Sequence, residues 1–317
     1  MARAWAAVVV LGLGGSASGQ SLELVATLSA ATDVRFTAVS PDGRQIAAVA
    51  GDRKLRLFTL PGGALARTLD LGDKRVDALA YSRNGRRLAA GGPTAAQVFD
   101  TDSGQRVAEI SALGGHVDAV ALSPDGLLLA IAPLDLPAQL WDVAQQKRRA
   151  SLETRFAGAT GLAFSPDGKF LAAINADTTV RLFEAATGRP LWTLEELSLE
   201  PFALAFSPDS KTLVVGGADK IALAVDTATG KATSRLARQP DPIGGLGVLG
   251  NGRTVIAACF NADKMAETRA ILAWDLTTGA VKTVGQGQSF NGGAVVSDGR
   301  LLLTAAGKDG LELWALR

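Results

Sequence analysis

The chain of 317 residues has one histidine, His116, and one cysteine, Cys259. Any catalytic triad, His-ligated zinc cluster or imidazole-based acid–base pair must therefore be built on a single ring. Asp118, two residues further on, is the natural proton-trading partner for it. Such a pair suits general acid–base work on an ester or lactone. The plainer expectation is that His116, in a loop just before a strand, makes a structural hydrogen bond to Asp135. Cys259 closes the apolar run Val255 to Cys259 and has no basic neighbour there, so a buried, inert thiol is expected. With one Cys there is no intrachain disulfide. No repeat of Asp residues has the spacing of a calcium loop, and no Gly-x-Gly-x-x-Gly stands between a strand and a helix. No cofactor is expected.

What must position these residues is a recurring turn. Ser40-Pro41-Asp42-Gly43 comes back as Ser123-Pro124-Asp125-Gly126, Ser165-Pro166-Asp167-Gly168 and Ser207-Pro208-Asp209-Ser210. Worn copies stand at Ser82-Arg83-Asn84-Gly85, Leu249-Gly250-Asn251-Gly252 and Val296-Ser297-Asp298-Gly299. The seven copies are about 42 residues apart, with a last step of about 47, a period that marks a propeller array. Pro presets φ, Asp bonds the backbone ahead of it, and Gly accepts a positive φ at the strand restart. Before each turn runs a strand alternating bulky and small residues, such as Val120 and Leu122 against Ala119 and Ala121. Both of its faces are uncharged, which predicts burial on both sides at a narrow hub. In the third repeat the predicted strands are Val117 to Leu122, Leu127 to Ala132, Ala138 to Asp142 and Lys147 to Leu152. The third strand of each repeat ends on a marker: Leu57-Phe58, Val98-Phe99, Leu140-Trp141-Asp142, Leu182-Phe183, Ala224-Val225-Asp226, Ala273-Trp274-Asp275 and Leu313-Trp314.

These turns, the Trp141-Asp142 and Trp274-Asp275 dipeptides, and the Thr187-Gly188, Thr229-Gly230 and Thr278-Gly279 turns make the chain resemble the WD-repeat family of β-propellers over residues 21 to 317. The family's Gly-His dipeptide stands at Gly115-His116, and its turn-opening Asp at Asp52, Asp135, Asp177 and Asp219; Pro93 replaces that Asp in the second repeat. The resemblance implies an all-β, seven-bladed propeller with four antiparallel strands per blade. The chain stops after a third strand, Leu311 to Arg317, while Leu22 to Leu28 is a strand with no blade before it. An N-terminal strand closing the last blade is therefore expected.

Aligning the repeats seven residues before the turn gives Asp33, Arg75, His116, Gly158, Glu200, Pro242 and Phe290. Five before it gives Arg35, Asp77, Asp118, Thr160, Phe202, Gly244 and Gly292. Asp33, Arg35, Arg75, Asp77, His116 and Asp118 should thus crowd one side of the channel mouth, either as a site for a polar ligand or cation or as a solvated rim of mutual ion pairs. The spacing from turn Gly to strand marker, about 15 residues elsewhere, grows to about 22 in the sixth repeat. The insertion carries Asp263, Lys264, Met265, Glu267 and Arg269, and must join two strands on the rim that holds His116 and Arg35. With Lys220 and Lys308 it completes the candidate partner-binding rim.

Lys and Arg number 32 and Asp and Glu 31, a balance without the footprint of a nucleic-acid or anionic-membrane binder. Neither partner is expected. Arg3, the apolar run Ala4 to Leu13 and the stretch Gly14-Gly15-Ser16-Ala17-Ser18-Gly19 read as a secretory signal cleaved near Ser18 or Gly19. The expected organisation is a signal peptide over 1–19 and one propeller over 20–317. The expected product is an exported protein, periplasmic or extracellular, not inserted in a membrane after cleavage and a monomeric propeller. The leading function is a non-catalytic protein–protein interaction scaffold presenting rim loops to another protein. A lactonase- or hydrolase-type propeller enzyme working from the channel mouth through His116 and Asp118 is the alternative. A sugar- or quinone-binding propeller is disfavoured by scarce aromatics, 5% of residues and one Tyr.

Overall fold

The computed structural model describes residues 22–28, 34–72, 74–111, 113–153, 158–260, 268–286, 290–295, 301–307 and 310–316, with the backbone alone at 22–28, 35, 260, 268–269 and from 286 onward. All of its regular structure is β. Strands are numbered in chain order from β1 (Leu22–Leu28) to β28 (Gly310–Leu316). Twenty-four of them, from β2 (Val34–Val39) to β25 (Val281–Gln286), form six antiparallel sheets of four consecutive strands each. The remaining four, with β26 (Phe290–Val295) and β27 (Leu301–Gly307), pair in the order β1-β28-β27-β26.

The third repeat shows how the sequence sets a sheet. Its strands are β10 (Val117–Leu122), β11 (Leu128–Pro133), β12 (Gln139–Asp142) and β13 (Lys147–Ser151), each within a residue of the expected start. Leu122 pairs with Leu129 across the Ser-Pro-Asp-Gly turn. That turn satisfies itself: Ser123 Oγ donates to Asp125 Oδ1 at 2.6 Å and accepts from Leu128 N at 2.9 Å, while Asp125 Oδ1 also accepts from Leu127 N at 3.0 Å. The same three bonds recur at Ser40 and Asp42, Ser165 and Asp167, and Ser207 and Asp209. Asn84 substitutes for Asp in the worn copy at Ser82.

The first strands of successive sheets lie side by side: β6 (Ala78–Tyr81) against β10, then β14 (Ala159–Phe164), β18 (Pro201–Phe206) and β22 (Ile243–Val248) in turn. Their alternation of sizes has a direct structural use. Val120 and Leu122 pack towards the second repeat with Ala80 and Val98, whereas Ala119 and Ala121 face the fourth and receive Leu162 and Phe164. A bulky face from one sheet thus meets a small face from the one before it. Each such seam is a continuous apolar core, and a fully buried Leu such as Leu129 or Leu140 stabilises it by about 1.5–3 kcal/mol. The outermost strands are solvated; Lys147, Arg148 and Arg149 of β13 are all exposed, the charged edge that discourages strand addition.

Candidate functional site

The site lies on the rim where the first strands begin, opposite the Ser-Pro-Asp-Gly turns. Asp77 precedes β6, and His116 and Asp118 flank the start of β10, so neighbouring strands bring the three together. His116 Nε2 is 2.8 Å from Asp77 Oδ2 and Nδ1 is 3.1 Å from Asp118 Oδ1. Arg75 Nε donates to the other Asp77 oxygen at 2.8 Å. Asp77 is nearly buried, at 7% side-chain exposure, while Arg75 stands in solvent at 51%. The two ring contacts need two protons, either both on the imidazole or one there and one on the carboxyl facing the other nitrogen. Burial pushes that carboxyl above its ordinary range; His116 opposes the shift and the charges of Asp135 and Asp77 add to it.

The expected bond from His116 to Asp135 is not made. The ring is held by Asp77 and Asp118 instead, and the link from His116 to the neighbouring turn is through the backbone, Leu134 N donating to His116 O at 2.6 Å. The reason lies in the turn between β11 and β12. Elsewhere the turn-opening Asp accepts the N–H two residues ahead: Lys54 N at 3.1 Å for Asp52, Thr179 N at 3.1 Å for Asp177 and Ile221 N at 3.4 Å for Asp219. In the third repeat the residue two ahead of Asp135 is Pro137, which has no N–H to give. The turn adopts another form. Asp135 itself takes the positive φ, 57°, where Arg53, Thr178 and Lys220 take it in the other sheets, and Leu136 N closes on Pro133 O at 3.3 Å. Asp135 stands at an exposed tip beside Leu134, which is 48% exposed. The family resemblance grouped Asp135 with the other three; the missing donor at Pro137 sets it apart, and that signal was present in the sequence.

Small residues let the neighbouring loops close on this turn. A Cβ on Gly115 would fall 2.9 Å from Leu134 O, and one on Gly158 2.9 Å from Pro133 O and 3.0 Å from Asp135 N. The glycine of the Gly115-His116 pair is therefore a matter of backbone approach.

Of the other expected rim residues, Lys220 donates its Nζ to Pro240 O, in the segment that leads from its own sheet to the next, at 2.6 Å. Arg35 lies in β2 and Arg269 in β24 (Thr268–Asp275), each described by its backbone alone. Asp33, Asp263, Lys264, Met265, Glu267 and Lys308 fall outside the described residues. The insertion does separate β23 (Thr254–Phe260) from β24, which pair as antiparallel neighbours. Cys259 is buried in β23, and its thiol is pushed up to about 12 by burial and then by Asp241; a nucleophilic thiolate is not held there. Among the described residues, no group of His, Cys, Asp or Glu has the geometry of a metal site, and no helix is long and apolar enough to cross a membrane. At the opposite rim Tyr81, Leu122, Pro124, Phe164 and Pro166 line a hollow. Burial holds the Tyr81 phenol far above its usual range.

The family model for the WD domain, G-beta repeat, matches residues 22–59, 148–184 and 188–223. Among solved structures, the β-propeller domain of Cps50 (Swd1) from Myceliophteria thermophila superposes with a TM-score of 0.75 at 18% identity, over 92% of this chain and 99% of that one. At that identity the likeness carries the fold alone. No curated protein matches the chain.

Proposed function

Because WD40 repeats stand in three segments of the chain and its sheets share the fold of a propeller domain, we propose that the protein is an exported, non-catalytic interaction scaffold. In this reading seven blades form a ring closed by β1 beside β28, and the rim around His116 is presented to another protein. The observation that carries it is the condition of the one imidazole: both ring nitrogens face carboxylates of the protein itself. A general base needs a nitrogen free to reach substrate, so the lactonase- or hydrolase-type alternative gains no support here. The apolar run Ala4 to Leu13 behind Arg3 supports export.

The experiment uses a photo-crosslinking residue at one of two exposed leucines of the third blade, Leu134 on this rim or Leu127 on the other, in the native host's exported fraction. Capture of a protein from position 134 and not from 127 is expected. Equal capture from both, capture from neither, or a turnover lost in His116→Ala at unchanged melting temperature would overturn the reading. The exported form should also begin near residue 20 by mass, and retention of residues 1–19 would refute processing.

A further inference from the structure

We infer that the hollow on the turn rim, across the first strands of the second, third and fourth repeats, binds a small aliphatic monocarboxylate with its head on Arg83. The inference goes beyond the scaffold reading, which concerns the opposite rim. The floor of the hollow follows from register. Ala80, Ala121 and Ala163 each stand two residues before a turn Ser, on β6, β10 and β14, and all three line it. Small side chains at one level of three adjacent strands leave the room. Pro124 and Pro166, each directly after a turn Ser, also line it, and so does the residue at that place in the second repeat, Arg83.

That turn is built differently from its four Ser-Pro siblings. They carry Asp42, Asp125, Asp167 and Asp209 at the third place; here Asn84 removes the carboxylate, and Arg83 in place of Pro adds a cation. An amide has donors that a carboxylate lacks. Asn84 Nδ2 donates to Asp125 O at 3.1 Å and Asn84 N to Pro124 O at 3.1 Å, so the turn beside Arg83 is tied to the next blade. Arg83 is partly buried, and burial holds its guanidinium below the ordinary range. The charged head, not its stem alone, is thus drawn from water, where a counter-ion helps it most. A guanidinium offers five donors in a fork that matches a carboxylate. Tyr81, 6% exposed, belongs to the same lining, and its buried hydroxyl has no hydrogen-bond partner among the described residues. A lining of donors over an apolar floor suits acceptor oxygens on an aliphatic tail. The carboxylates of Asp42 and Asp125 on the adjoining turns oppose a second negative charge, which favours a monoanion.

The test titrates the full chain with hexanoate, acetate and hexylammonium, followed by ligand-observed NMR. Hexanoate should bind about tenfold more tightly than acetate, which lacks the tail. Hexylammonium, with the tail and the opposite charge, should not bind. Arg83→Pro gives this turn the Pro of its siblings, so the fold should be kept while hexanoate binding weakens roughly tenfold; Arg83→Gln repeats the measurement if the prolyl variant melts lower. Equal binding of hexylammonium, acetate as tight as hexanoate, unchanged affinity on losing Arg83, or no binding of hexanoate overturns the inference. None of these outcomes bears on capture at position 134, so the scaffold reading stands or falls separately.

Discussion

His116 is held by what it holds. Removing the ring in His116→Ala leaves the Asp77 carboxylate, nearly buried, with Arg75 as its side-chain partner among the described residues, and the expected loss is about 1–3 kcal/mol of stability, measured by denaturant unfolding at neutral pH. Asp118 behaves in the opposite sense. Its carboxyl is raised in the folded state, so its stabilising contribution is complete below the ordinary carboxylate range and is lost as pH rises through the raised value. Asp118→Asn keeps an acceptor for His116 and removes the desolvated charge. The variant should match or exceed wild-type melting temperature at neutral pH, and that advantage should vanish in acid; a neutral-pH loss as large as that of His116→Ala would refute this account. The residue pairings were half legible in the sequence. Asp77, His116 and Asp118 fell in register because the repeat period placed them there, whereas the partner of the ring did not follow. That depended on a missing N–H at Pro137, which changes a turn by removing a donor and leaves no mark in hydrophobic pattern.

At the scale of the element, strand positions were readable because burial on both faces gives a period of two with no charge, and each turn was readable because Ser and Asp satisfy its backbone locally. The rule that bulky faces meet small ones lets a substitution be chosen by direction. Ala121→Leu places added methylenes against the fourth blade's Leu162 and Phe164 and should destabilise by about 1–3 kcal/mol; an unchanged unfolding midpoint would show that the seam is looser than described. Ser210 makes a finer case. It stands at φ 63° where other repeats have Gly, and its hydroxyl accepts from Asp167 N in the preceding blade at 3.0 Å. Ser210→Gly relieves the backbone cost while losing that bond, whereas Ser210→Ala loses the bond and keeps the cost. Ser210→Ala should therefore melt below Ser210→Gly, and the reverse order would disprove the role given to the hydroxyl. The sequence showed this position only as a departure from the motif, since its partner lies 43 residues away.

For the whole molecule, the proposed ring makes β1 the outer neighbour of β28. Deleting residues 21–28 would then leave an unpaired edge on the last blade, and both solubility and melting temperature should fall; a deletion variant equal to wild type in each would count against closure. The two rims differ in how they are built. On one, a Ser hydroxyl with an Asp or Asn side chain finishes five of the turns, at Ser40, Ser82, Ser123, Ser165 and Ser207, from inside four consecutive residues and the two that follow. On the other, the contacts that cross blades are the bond of His116 to Asp77 and the approach of Gly158 to Pro133 and Asp135. A change at Ser123 is absorbed where it occurs, whereas one at Asn84 or Ser210 reaches the adjoining blade. On the second rim a change at His116 is likewise passed to the adjoining blade. Sequence variation among chains of this design should therefore couple neighbouring blades on both rims, a residue at Ser210's position changing together with the turn at Asp167, and one at His116's together with that at Asp77's.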